Sequence, residues 1–532
     1  MLRRALLLVS LSAACLAQDA ARMDQVVQSY VDSKQFMGAA LVARGDRILF
    51  NKAYGSANLE WDIPNSPQSK FRLGSLTKQF TAASILLLEE RGKLKTGDPV
   101  KKYMPDAPAA WDQITIFHLL THTSGIPNFT NFPEYPKMQP FQTPVKDIVA
   151  LFRDRPLDFA PGEKWNYSNS GYILLGYLIE KITGESYEKF LRENIFTPLG
   201  MKDSGYDSNS AIIAHRASGY TKGANGIENA TFVHMSIPHA AGALYSTTGD
   251  LLRWEQALFG GKVLSPASFQ KMITPFKDDY AFGLMVRTVN GHKVIVHNGG
   301  IDGFNTHLEY LPDDKLTVVV VANLNGAAPD QIGPKLASVA LGENVKLTSE
   351  RKEITVPAGT LAKYVGTYQF RPGLHMMITL SGNQLYGQLS GQGKNPIFPE
   401  SETNFFLKVV DAQIEFAGNG LILHQGGIDQ KAERISDTVL ERKEIAVPAA
   451  ILEKYAGTYQ LQPGFDIVMT VENGQLMTQA TGQPKFPMFA ESETKFFLKV
   501  VDAQVDFLKD DKGNVTGLTL HQAGREMNAP RK

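Results

Sequence analysis

A chain of 532 residues is too long for one hydrophobic core, because single cores stop growing at roughly 250 to 300 residues, so two or three domains are expected. Its 43% hydrophobic and 20% charged content is ordinary for a globular protein and implies no large disordered or low-complexity part. Lys plus Arg equals Asp plus Glu at 54 each, so no net field favours nucleic acid, an anionic membrane surface or an acidic polymer.

Arg3 and Arg4, an apolar run from Ala5 to Ala17, then Gln18 and Asp19 have the layout of a secretory signal peptide over residues 1–17. This predicts a secreted or periplasmic protein. Cleavage after Ala17 removes Cys15, the only cysteine, and leaves a mature chain without a disulfide. The competing reading makes Cys15 a lipid-carrying first residue, but Ser12-Ala13-Ala14 puts Ser where an aliphatic residue is usual. Beyond this segment the longest apolar stretch, Leu316 to Ala322, is strand-length, so no membrane span is expected.

Residues 20–345 mix helical runs with strands and read as an α/β domain. Val42 to Leu49 has the form of a hairpin around Gly45-Asp46, and Lys315 to Asn323 that of a buried strand. Helices are predicted from Thr77 to Arg91, stopped by Gly92, and from Tyr172 to Ile182, stopped by Gly184. Lys346 to Gly359 is charged, contains Pro357 and suits a linker. After it, SETNFFLKVVDAQ at 401–413 recurs as SETKFFLKVVDAQ at 492–504, a shift of 91 residues. The same shift carries Gly366-Thr367-Tyr368 onto Gly457-Thr458-Tyr459, so 351–435 and 441–532 are two copies of one domain. Short runs such as Met376 to Leu380, Leu385 to Leu389 and Phe405 to Phe416, separated by Gly and Asn turns, predict a small antiparallel barrel in each copy.

The chemistry concentrates in three places. In Ser75-Leu76-Thr77-Lys78, at the start of a predicted helix, residues three apart share a face, so the Lys78 amine can reach the Ser75 hydroxyl. A serine is a poor nucleophile until a neighbouring base takes its proton, and an amine does so once its pKa is lowered. The helix start adds positive potential where an oxyanion develops. Tyr167-Ser168-Asn169 follows 92 residues after Ser75; a Tyr beside a Ser–Lys pair can relay protons, and an Asn can bond both the lysine and a substrate amide. His297-Asn298-Gly299-Gly300, a further 130 residues on, follows the strand-like Val294-Ile295-Val296, and its glycines would let substrate lie against backbone N–H groups.

These motifs, in this order, resemble the SxxK acyltransferases: class C β-lactamases, low-molecular-weight DD-peptidases, related esterases and D-aminopeptidases. Phe117 to Gly125, Tyr245 to Leu251 and Tyr280 to Leu284 fit the same pattern, and the likeness covers about residues 25–340. It implies an α/β (α+β) penicillin-recognising serine hydrolase domain, an antiparallel sheet flanked by helices, followed by two small antiparallel β-barrels of the lipocalin-like kind appended to some members. It also implies Ser75 as nucleophile, Lys78 and Tyr167 as the groups that move the proton, and Tyr167 as base toward water in deacylation. Asn169, His297, Gly299 and Gly300 fall to substrate binding, with the N–H groups of Ser75 and Gly300 forming an oxyanion hole. No cofactor and no metal are expected.

Typical β-lactamases and DD-peptidases carry Lys-Thr-Gly as the third motif, where the lysine supports a substrate carboxylate. His297-Asn298-Gly299 replaces it here, and a neutral imidazole is a weaker anchor at pH 7. The variant resembles D-aminopeptidases and esterases, and two C-terminal barrels extend the D-aminopeptidase likeness. The expected substrate is therefore a small peptide containing D-amino acids. The alternatives are a broad carboxylesterase or weak β-lactamase, and a catalytically silent protein that binds cell-wall fragments or β-lactams. His118 and His122 have a zinc-compatible spacing but no accompanying H-E-x-x-H glutamate, and Ser124 lacks a G-x-S-x-G context, so both read as structural.

Overall fold

The computed structural model describes residues 18–532 apart from 224–225, 372–373, 391, 426–427, 438–443, 463–464, 473, 482, 484, 499–500, 502 and 523–524. The expected leader at 1–17, with Cys15, lies outside the described residues. Two compact units divide between Val345 and Lys346.

In the first unit a six-stranded antiparallel sheet runs in the order Met285–Val289, His292–Ile301, Phe304–Leu311, Leu316–Ala322, Gly38–Arg44, Arg47–Tyr54. The N-terminal hairpin turns at Gly45-Asp46 and joins the sheet where Gly38–Arg44 pairs with Leu316–Ala322. Leu316–Ala322 is buried at every position, which is why it reads as a continuous apolar run rather than an alternation. Helices Ala328–Ala340 and Thr248–Phe259 pack on this strand. Helix Thr77–Glu90 is buried along nearly its whole length, and Phe80 stacks on Trp254 with ring centroids 4.2 Å apart. Such a helix lacks a polar face because it is surrounded by protein. Helix Asn169–Thr183 starts three residues before the predicted Tyr172, and ends at Gly184 in the left-handed conformation.

In the second unit, eight strands from Gly366–Arg371 to Ile428–Ser436 close into a barrel, and eight more from Gly457–Gln462 to Arg525–Pro530 form a second sheet, brought round by a bridge between Tyr459 and Arg531. The duplication reaches the cores: Tyr364 stacks on Phe416 and Tyr455 on Phe507, each pair at 4.0 Å.

Two details differ from the sequence reading. The run Phe405 to Phe416 is not one strand but two, Asn404–Phe406 and Ala412–Ala417, because Leu407 N–H bonds to Ala412 O and turns the chain, leaving Val409 exposed. No Gly, Pro or Asn marks that turn. The segment 346–359 is also more than a linker, since Val356 is buried in the first barrel's core and Ile354 N–H bonds to Pro399 O.

Candidate active site

Ser75 stands in a 3₁₀ turn, Gly74–Leu76, that feeds helix Thr77–Glu90. Gly74 has φ +54°, and a Cβ there would lie 2.8 Å from Gly300 N, so the turn and the site strand touch backbone to backbone. Ser75 keeps partial exposure, whereas Lys78, one turn on, is 0% exposed. Lys78 Nζ lies 3.0 Å from Ser75 Oγ, 2.9 Å from Asn169 Oδ1 and 2.9 Å from Ala241 O. Among the described residues no carboxylate pairs with it, and burial pushes the amine well below the usual lysine range.

A proton count then follows. A neutral amine has two N–H donors and one lone pair. The Asn169 and Ala241 oxygens can only accept, so they take both donors. With the amine neutral, the lone pair is left for Ser75, the one of its three hydrogen-bond partners with a proton to give. The packing therefore sets a desolvated base against a serine hydroxyl.

Tyr167 lies with its ring 4.8 Å from Nζ, and the Tyr172 ring is at 5.5 Å. Burial pushes the Tyr167 phenol far up, against a smaller downward pull from the Ser75 hydroxyl nearby. Its Oη closes no hydrogen bond of good geometry among the described residues. A phenol so placed stays protonated at neutral pH, so it can relay a proton but is not a resting tyrosinate base. Asn169 opens helix Asn169–Thr183; its N–H bonds to Asn128 Oδ1 at 3.1 Å and its Nδ2 to Thr130 Oγ1 at 3.3 Å, which aims Oδ1 at Lys78.

The site strand His292–Ile301 supplies the third wall. Its neighbour Met285–Val289 pairs only with His292 to Val296, so no described strand covers 297–301 on that side. On the other side it pairs through Ile301 with Phe304. A two-residue hairpin closes on a hydrogen-bonded pair and such pairs alternate, so Asn298 and Gly300 point their N–H and C=O groups outward to the uncovered edge. Gly299 must be glycine for a steric reason: a Cβ would lie 2.0 Å from Leu73 O and 2.2 Å from Thr306 Oγ1.

His297 is nearly fully buried. Its Nδ1 is 2.6 Å from Asn298 O, an acceptor, and its Nε2 is 3.0 Å from Tyr280 Oη. Nδ1 thus carries the hydrogen and Nε2 accepts from the phenol. Burial is the main cause that pulls the imidazole down to about 3. Both nitrogens are engaged within the protein, so His297 presents neither charge nor a free polar atom to a substrate carboxylate; the Gly300 edge, not the His297 side chain, is what the strand offers.

His122 accepts from Ser168 N–H at 3.1 Å and packs on Tyr167 and Tyr280 at 4.2 and 4.6 Å; burial pushes it well below the ordinary histidine range. It lies past the end of helix Ile116–Leu120, whereas His118 caps that helix through Thr115, so the two imidazoles do not share a helical face. Ser124 Oγ accepts from Ile126 N–H within a turn. No group of metal ligands occurs among the described residues. Sequence reading missed Ala241 O and the part played by Tyr280. A backbone carbonyl leaves no mark in sequence, and Tyr280 stood inside the stretch Tyr280 to Leu284 without a role.

Residues 23–341 match the sequence profile of the family described as Beta-lactamase, and residues 350–423 and 441–530 match a Domain of unknown function (DUF3471). The chain is 30% identical to penicillin-binding protein 4* of Bacillus subtilis over 435 residues, covering 76% of this chain and 96% of that protein. A penicillin binding protein from Bacillus halodurans superposes with TM-score 0.53 at 29% identity, over 59% of this chain and 97% of its own. A D-stereospecific amidohydrolase from a Streptomyces species does so with TM-score 0.54 at 27% identity, over 61% and 99%.

Proposed function

The chain belongs to the beta-lactamase family, and from that premise we propose that it is an exported serine hydrolase that forms an acyl-enzyme on Ser75 and cleaves D-amino-acid-containing peptides, as a D-aminopeptidase or DD-carboxypeptidase does. The observation that carries this reading is the cluster at Lys78: a fully buried amine, with no paired carboxylate among the described residues, whose Nζ lies 3.0 Å from Ser75 Oγ, 2.9 Å from Asn169 Oδ1 and 2.9 Å from Ala241 O. Export rests on the leader-like segment at 1–17. The D-amino-acid preference draws support from the similarity to the D-stereospecific amidohydrolase.

Ser75 Oγ attacks the carbonyl carbon as its proton passes to Lys78 Nζ. The N–H groups of Ser75 and Gly300 hold the oxyanion where the 3₁₀ turn meets the open strand edge. Lys78 returns the proton through the Tyr167 phenol to the leaving amine or alkoxide, and the C–N or C–O bond breaks. In deacylation Tyr167 passes its proton to Lys78 as it takes one from the attacking water, and Lys78 returns that proton to Ser75 Oγ as the acyl–Oγ bond breaks, so the pair, rather than a tyrosinate, acts as base. The neutral His297 favours substrates with no carboxylate at that end of the strand, which supports a broad carboxylesterase with weak β-lactam turnover as the second reading.

Intact-mass spectrometry of the mature protein with a fluorophosphonate and, separately, a penicillin tests the proposal. A fluorophosphonate adduct that disappears in Ser75→Ala is the expected result. A lasting penicillin adduct as well would bring the pocket near that of penicillin-binding enzymes, and no adduct with either reagent would overturn the acyl-enzyme reading in favour of a silent binding protein.

A further inference from the structure

A cavity of about 370 Å³ opens where the site strand ends. Arg72, Arg216, Asp302, Phe232 and Phe304 are among its walls. Arg72 lies three residues before Ser75, and Asp302, two residues after Gly300, opens the turn that joins Ile301 to Phe304. A substrate laid along the open edge with its carbonyl at Gly300 therefore reaches this cavity with a group a few bonds from the scissile carbon.

The charges on its walls are unevenly matched. Asp207 is completely buried and is shared by two guanidinium groups: Arg72 Nε donates to Oδ2 at 2.6 Å, and Arg216 Nη1 donates to Oδ1 at 2.7 Å and to Ser208 O at 2.8 Å. Two cations on one carboxylate leave one positive charge over. Asp302 has the converse arrangement. Its one side-chain donor is neutral, Gln139 Nε2 at 2.6 Å, and no cation pairs with it among the described residues. Burial holds its carboxyl above the ordinary range against Gln139 and the more distant pull of Arg72. The cavity thus has an anion without a paired cation on one wall, and a cation pair with surplus charge on another.

We propose that this cavity is the specificity subsite of the hydrolase, taking a zwitterionic α-amino-acid group carried on the acyl chain of the substrate, with its ammonium on Asp302 and its carboxylate on Arg72 and Arg216. The inference rests on the acyl-enzyme reading for its catalytic consequence, though not for binding. It accounts for the neutral His297: recognition of charge moves from the His297 end of the strand to the Asp302 end. A γ-glutamyl amide has the required shape, because its ammonium and carboxylate share a carbon three C–C bonds, about 4 Å, from the scissile carbon.

Three p-nitroanilides test this: γ-D-glutamyl, glutaryl, which lacks the ammonium, and 4-aminobutyryl, which lacks the carboxylate. The expected kcat/KM for γ-D-glutamyl is about tenfold or more above both, the scale of one charge-assisted hydrogen bond. Asp302→Asn should lower kcat/KM for γ-D-glutamyl relative to glutaryl by about tenfold, bringing the ratio of the two close to one. Equal rates on all three, or an equal fall on all three in Asp302→Asn, would overturn the subsite. Calorimetric titration of γ-D-glutamyl-p-nitroanilide onto Ser75→Ala, with and without Asp302→Asn, decides the matter independently of turnover: about tenfold weaker binding in the double variant supports the subsite, and equal or undetectable binding refutes it. Failure of the fluorophosphonate to label Ser75 would instead strike the acyl-enzyme reading alone.

Discussion

Gly299→Ala puts the geometry of the oxyanion site to a direct test. The new Cβ would sit 2.0 Å from Leu73 O and 2.2 Å from Thr306 Oγ1, where a carbon–oxygen contact needs about 3.3 Å, so the two segments must part by roughly 1.3 Å. Leu73 cannot yield alone. Its N–H bonds to Leu244 O at 2.8 Å and its carbonyl accepts from Thr306 Oγ1 at 2.9 Å. Relief therefore moves the turn Gly74–Leu76 against the strand, and with it the Ser75 N–H against the Gly300 N–H. A displacement of about 1 Å at reacting groups costs about 100-fold, and loss of one oxyanion donor costs 10²–10³-fold by order of magnitude. Overpacking should cost about 1–3 kcal/mol of stability, which leaves a domain of this size folded. Stopped-flow acylation by a fluorophosphonate, with thermal unfolding as the control, reads both quantities. Acylation within threefold of the parent in Gly299→Ala would refute the oxyanion geometry drawn from the strand register.

Lys78→Met should lower acylation by about 10²–10⁴-fold, the range of a lost general base, and its melting temperature sets the relief of a desolvated amine against two acceptors, Asn169 Oδ1 and Ala241 O, left without their donor. The sign with pH is definite: a lysine held well below its unfolded value binds fewer protons folded than unfolded, so parent stability relative to Lys78→Met should rise as pH climbs toward about 10.5 and fall below it, and a flat difference would refute the neutral amine. Tyr280→Phe removes the donor to His297 Nε2 and leaves a buried acceptor unpaired, a cost of about 1–3 kcal/mol that chemical denaturation would detect. His307, raised to about 9 by Glu309 and Asp330 against the cost of burial, contributes stability that is complete below about 6.5 and lost as pH rises through about 9. His307→Asn should therefore cost most at pH 6 and least at pH 10 in thermal unfolding, and the reverse order would refute the ion pair.

What sequence could show here depended on how local each relation is. Ser75 and Lys78 lie on one helical turn, so their spacing alone brought them within reach of each other, and the structure has them 3.0 Å apart. The barrels were legible because duplication repeats whole stretches such as 401–413, whatever their contacts. Tyr167, Asn169 and His297 come from distant segments and were named through family likeness, not spacing. The break inside Phe405 to Phe416 escaped notice because an apolar run carries no sign of a turn made by backbone hydrogen bonding. The protonation state of Lys78 was legible only as a requirement. Its cause is burial with no paired carboxylate among the described residues, and one of the amine's partners, Ala241 O, is a backbone atom that any residue type could have supplied.

The His297 position shows why a motif's residue type and its chemistry must be argued separately. By sequence it stood where a cation would anchor a carboxylate, and histidine suggested a weakened form of the same function. In the structure its Nδ1 meets Asn298 O, its Nε2 meets Tyr280 Oη, and burial keeps it neutral, so it is part of the wall behind the base rather than an anchor. Burying a second cation in the same desolvated cluster would cost more than the cluster, which has no carboxylate paired with Lys78 among the described residues, can offset, and the neutral imidazole avoids that cost. The subsite proposed at Arg72, Arg216 and Asp302 would place charge recognition beyond the end of the strand instead, outside the cluster that holds the base.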